Sequence, residues 1–175
     1  MHFELKSISE ESIPEALSKV ERYRLLNEPA LAESICLDIL ATSPDHQQAL
    51  VSLLLAQTDQ FHSKAQPKGA LEVLARIKGD YEQAYYAGII WERLGHSRIR
   101  LGDPGARISA YHALQDAMSH YEKAMHCAPH GNDDAILRWN TCARTIMQNP
   151  DIQPLTEHDP KAWLHDETGP GMVDA

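Results

Sequence analysis

Between Ala113 and Ile146 small and apolar residues recur at helical spacing in two successive runs. Ala117, Tyr121, Ala124 and Met125 follow i, i+4, i+7 and i+8, the stripe that an amphipathic helix buries. Pro129 stops that helix. Gly131-Asn132-Asp133 then offers turn and N-cap chemistry, and Ala135, Ile136, Trp139, Asn140 and Ala143 begin a second helix. So short a link predicts an antiparallel pair.

The same pattern runs through the upstream chain. Ser12 and Glu15 flank Pro14 as a capping-box signature, and Ala16, Leu17, Val20 and Tyr23 continue a helix that Asn27-Glu28-Pro29 ends. Leu31, Ala32, Ile35, Cys36, Ile39 and Leu40 share one face of the next helix, broken at Ser43-Pro44-Asp45. A short helix carrying Ala70, Leu71, Leu74 and Ile77 is expected between Pro67 and Gly79-Asp80. Leu94, Arg98, Ile99 and Leu101 then extend one helix toward a tight turn at Asp103-Pro104-Gly105, from which Ile108, Tyr111, Ala113 and Leu114 lead back. No stretch alternates as a strand would.

Ala117, Tyr121, Ala124 and Pro129 have the small-aromatic-small-proline spacing of the second helix of a tetratricopeptide repeat, a family that the chain resembles. Ala32 and Pro44 repeat the interval from Ala117 to Pro129, and Ile13, Gln47 and Tyr81 stand 34 residues apart, the length of that repeat. Gly88 and Gly95 fall on the family's two habitual glycine sites, one where helices touch and one at the turn. The resemblance implies an all-α fold, an α-solenoid of antiparallel helix pairs with about three and a half repeats. Its third repeat holds about 17 extra residues, which are expected to form an extended helical hairpin projecting roughly 10 Å. Residues 1–11 are read as a polar leader, 12–147 as the helical domain and 148–175 as a flexible tail whose one apolar island is Ala162-Trp163-Leu164.

In that family the first helices of the repeats line a concave groove. The resemblance places Leu17, Glu21, Arg24, Val51, Leu55, Thr58, Tyr85, Ile89 and Glu92 in it, with Arg144 from the last helix. The apolar members favour an amphipathic helix or apolar peptide as ligand. The Lys and Asn residues with which part of the family clamps a C-terminal carboxylate are absent from these positions. A second contact surface is expected on the hairpin, where Arg98, Arg100 and Arg107 flank Ile99, Leu101, Ile108 and Tyr111 for an acidic partner.

Composition narrows the partners. A formal net charge of -9 disfavours nucleic acid, which needs a basic face, and no apolar run is long enough for a membrane span. The start of the chain lacks a secretory pattern, and Cys36, Cys127 and Cys142 have no paired spacing, so a cytoplasmic location without disulfides is expected. His120, His126, Cys127 and His130 invite a metal reading, but Pro129 breaks the helical geometry between the last two histidines. No metal or cofactor is therefore expected. A thiol-base pair of Cys142 and His126 is disfavoured because Cys142 falls on an inward helix face, and no phosphate loop, GxSxG or HExxH occurs. The sequence thus reads as a non-catalytic protein-interaction adaptor that binds a peptide or partner helix. The alternative is a homo-oligomeric assembly subunit, with a small enzyme or metal-binding protein behind both.

Overall fold

The computed structural model describes residues 2–61, 66–101 and 104–152. All regular structure among them is helical: α1 (Ile13–Leu25), α2 (Pro29–Thr42), α3 (Gln47–Asp59), α4 (Lys68–Leu74), α5 (Asp80–Leu101), α6 (Pro104–Cys127) and α7 (Asp134–Gln148). Short 3-10 turns precede α1 at Glu10–Ser12 and follow α7 at Pro150–Ile152. Each helix packs on the next except that α4 and α5 touch only lightly, and α3 also meets α1 and α5.

The helix ends follow local chemistry, with one exception to expectation. Proline opens α1 and α2, where its missing N–H costs nothing. Asn27 ends α1 in the left-handed region at φ 59°, a conformation that asparagine tolerates better than most residues, and the Glu28 amide donates back to the Tyr23 carbonyl. The capping box at Ser12 does not form. The preceding 3-10 turn puts Ser12 in helical geometry, and its hydroxyl donates to the Ser9 carbonyl at 2.8 Å. Before α7, Asn132 Oδ1 accepts from the Asp134 amide at 3.0 Å, so Asn132 supplies the local bond and Asp133 makes no side-chain cap.

Two apolar clusters organise the chain. The first gathers Val20, Ala32, Cys36, Ile39, Leu50 and Leu54, all without exposed area, and borrows Ile90 and Leu94 from α5. The second centres on Tyr121, with Leu114, Ala117, Ala124, Ala135 and Cys142 around it. Gly88 makes the second cluster possible, since a Cβ there would lie 2.4 Å from the Tyr121 ring. Gly95, on the family's turn site, lies inside α5 as the extended hairpin requires, and a Cβ there would meet Leu114 at 2.9 Å. Pairing of 88 with 121 and 95 with 114 shows α5 and α6 running antiparallel.

Both arms of the expected hairpin are helical, 22 residues in α5 and 24 in α6 against 13 in α1 and α3. The excess over α1 and α3 amounts to about 15 Å of axial length. The hairpin is less bare than expected. Arg100 donates to the Phe61 carbonyl at 3.1 Å, so the chain just past α3 meets α5, and Ile152 buries itself in the second cluster. The tail boundary therefore shifts, because Gln148 completes α7 and Ile152 is only 2% exposed. The leader is also tied down at its end, where Ile8 packs on the first cluster and its carbonyl accepts from Thr42 at 3.2 Å. Trp163 lies outside the described residues.

Candidate binding face

Arginines and carboxylates from α1, α3, α5 and α7 form two groups of ion pairs that meet at the adjacent α5 residues Glu92 and Arg93. Arg24 on α1 donates to Asp59 Oδ2 at 2.7 Å, and Arg93 on α5 meets the other oxygen at 2.6 Å. Arg93 also donates to the Leu55 carbonyl and to the Thr58 hydroxyl. Its neighbour Glu92, with a side chain only 5% exposed, accepts from Arg138 of α7 at 3.1 Å and from the Tyr121 hydroxyl. His96 Nε2 stands 3.8 Å from the same carboxylate. A buried carboxylate needs such partners, since leaving one unpaired costs several kcal/mol by order of magnitude.

Aromatic groups border these ion pairs. Tyr81 and Tyr85 stack with centroids 5.5 Å apart, Tyr86 meets Tyr85 edge-on, and Tyr85 tilts toward Tyr121. The Tyr81 hydroxyl donates to Asn132 Oδ1 at 3.2 Å. The helical period explains the assembly: Tyr81 and Tyr85 are four apart on α5, with Glu92 two turns beyond Tyr85 on the same side.

The residues expected in the groove divide into two groups. Arg24, Val51, Leu55 and Tyr85 are half-buried and Glu21 is exposed, whereas Leu17, Thr58, Ile89 and Glu92 are buried. The expected continuous apolar stripe is therefore corrected to ion-paired polar groups with apolar flanks, because Leu17 and Ile89 turn into the two clusters. Arg144 is corrected as well. It lies half a helical turn from the buried line of Ala135 and Cys142 and faces solvent, while Arg138 reaches α5. Arg93, Arg138 and Asp59 were missed, since a repeat-position rule ranks residues by register and carries no information on which charges meet across helices.

On the hairpin, Ile99 is half-buried against the second cluster, Arg98 is half-buried and Arg100 is bound to Phe61. Arg107 pairs with Asp151 at 3.3 Å, and Ile108 remains 45% exposed. The expected arginine-flanked ridge is thus partly occupied by the chain itself.

Burial pushes the thiols of Cys36 and Cys142 up to about 12, with Glu92 adding to the effect at Cys142. Both stay protonated and behave as small hydrophobes. His126 is exposed, its Nδ1 2.6 Å from the Glu122 carbonyl. Among the described residues no three His, Cys, Asp or Glu side chains gather as metal ligands, and no helix is long and apolar enough to cross a membrane. No protein family, curated protein or solved structure matches the chain.

Proposed function

We propose that this chain is a non-catalytic interaction adaptor of tetratricopeptide type that holds a peptide or partner helix across the face shared by α1, α3, α5 and α7. The observation that carries the reading is the composition of that face. Arg24, Arg138, Tyr85 and Tyr86 are half-buried on it, as is Leu55, which packs against both clusters, and arginine and tyrosine are enriched at binding hot spots. Ion pairs to Asp59 and Glu92 hold the arginines in place, so little side-chain freedom is lost on binding. Arg24, Arg93 and Arg138 outnumber those two carboxylates on a chain whose net charge is -9. Acidic groups flanking an apolar anchor therefore suit the ligand better than a wholly apolar peptide. The 34-residue spacing of Ile13, Gln47 and Tyr81 supports the family reading.

Peptides selected from a random display library on the intact chain, then titrated by fluorescence anisotropy, test the proposal. Leu55→Glu and Arg24→Gln should each weaken the selected peptides about tenfold or more, as loss of an interface anchor does, while circular dichroism stays unchanged, since Asp59 keeps Arg93 as its partner. Equal affinity for the folded variants would remove this face from consideration. Self-association is the second reading, favoured by Leu25, Leu26 and Leu31, which are 88%, 62% and 48% exposed around the α1–α2 turn. Light scattering that shows monomer across the concentration range excludes it.

A further inference from the structure

A second groove lies away from the ion pairs, between α6 and α7. Tyr111, Gln115, Met118, Ser119 and Glu122 form one wall and Ala143, Ile146 and Met147 the other, enclosing about 370 Å³. Its apolar members are incompletely covered, with Met147 67% exposed. The α7 helix is the last one described, and its outer flank therefore has no following helix to pack against it among the described residues.

The path of the chain points to an occupant. Arg107 pairs with Asp151, and Ile152 is buried against α6 and α7, so the backbone is pinned about one turn of α6 from Tyr111, where the groove begins. From Tyr111 to Glu122 the groove runs about 17 Å along α6. Trp163 is eleven positions on from Ile152, a stretch that can span up to about 36 Å. Ala162-Trp163-Leu164 is the strongest apolar group within that reach. It is flanked by Asp159, Lys161, Asp166 and Glu167, a net acidic set, while the exposed Arg144 lies three residues before Met147 on α7.

We propose that Trp163 and Leu164 dock in the α6–α7 groove as an intramolecular cover, anchored by Ile152. Tethering makes the docking unimolecular, so a small apolar contact suffices where a free peptide of the same length would bind weakly. The indole supplies large apolar area, and its N–H can reach a polar rim group.

Methionine oxidation of the full chain by dilute hydrogen peroxide, followed site by site by mass spectrometry, reads the cover directly. With the segment released roughly a tenth of the time, Met147 should oxidise about tenfold more slowly than Met172, and Trp163→Ala with Leu164→Ala should abolish that difference. Met147→Glu is the complementary variant. It should raise amide hydrogen exchange at residues 160–165 without changing exchange in α2 and α3. Equal rates at Met147 and Met172 in the unsubstituted chain would falsify the proposal. Protection that grows with protein concentration would overturn it too, because the occupant would then be a second copy. Neither result bears on the face formed by α1, α3, α5 and α7.

Discussion

The two clusters are built on different principles, although they share the α5 helix. Val20, Ile39, Leu50 and Leu54 make the first from aliphatic groups, with its charges, Arg24, Asp59 and Arg93, kept at a half-exposed edge. The second places a buried phenol and a buried carboxylate at its centre, with Tyr121 donating to Glu92 and Arg138 closing the group. Aliphatic packing tolerates many arrangements of similar volume, whereas a buried polar group tolerates only those that satisfy it. The first cluster supplies bulk stability, and the second fixes how α5, α6 and α7 meet. The proposed binding face runs along the seam between them, so its arginines inherit their positions from both.

Substitutions separate the two principles. The largest effect is expected from Leu54→Ala, which empties a site with no exposed area and should cost about 2–5 kcal/mol in urea unfolding. Tyr121→Phe removes one hydroxyl and almost no volume, yet it should cost about 1.5–3 kcal/mol because Glu92 loses its bond from that donor. A cost below that of an ordinary surface substitution would mean that the second cluster is as forgiving as the first. Gly88→Ala should cost about 1–2 kcal/mol, the crowding of the Tyr121 ring outweighing the helix preference for alanine. If Gly88→Ala raises the melting temperature instead, the ring has room to move and the cluster is looser than its geometry implies.

Much of the fold was legible in the residue pattern because apolar period and chain breakers act locally. Pro14, Pro29, Asn27 and the Ala117-Tyr121-Ala124 stripe each report on a few neighbouring residues, and the helices lie where those signals put them. Helical extension on both sides of residues 102 and 103 was legible for the same reason. The candidate face was only partly legible. Arg24, Leu55 and Tyr85 were placed by register, but Asp59 links Arg24 to Arg93 across 35 and 34 residues of sequence, and no local pattern encodes that meeting. Ile152 reads as part of the tail because one isoleucine between two prolines has no period, whereas its burial is a tertiary event.

The smallest predicted effect is a difference in acid sensitivity between the two regions. Burial is the main cause that holds the His96 imidazole below its ordinary 6.5, with Glu92 opposing and Arg100 and Arg138 reinforcing it. His120 on α6 is lowered too, by burial first and then by Lys123, against Asp116. Since the folded chain binds a proton at these sites less readily than the unfolded chain, their neutral forms favour folding above about pH 6.5. As pH falls from there through the lower folded values, protonation draws the equilibrium toward the unfolded state. Both histidines belong to the α5–α6 half, so hydrogen exchange between pH 7.5 and 5.5 should loosen Glu92, Tyr121 and Arg138 before α2 and α3. His96→Gln keeps a polar group on α5 and has no proton to gain, so it should flatten part of that dependence and leave stability at pH 7.5 nearly unchanged. Both side chains are partly exposed, and solvent screening keeps the effect below that of Gly88→Ala. Equal loosening of both halves would show that acid acts through the general charge balance of the chain and not through the buried carboxylate's surroundings.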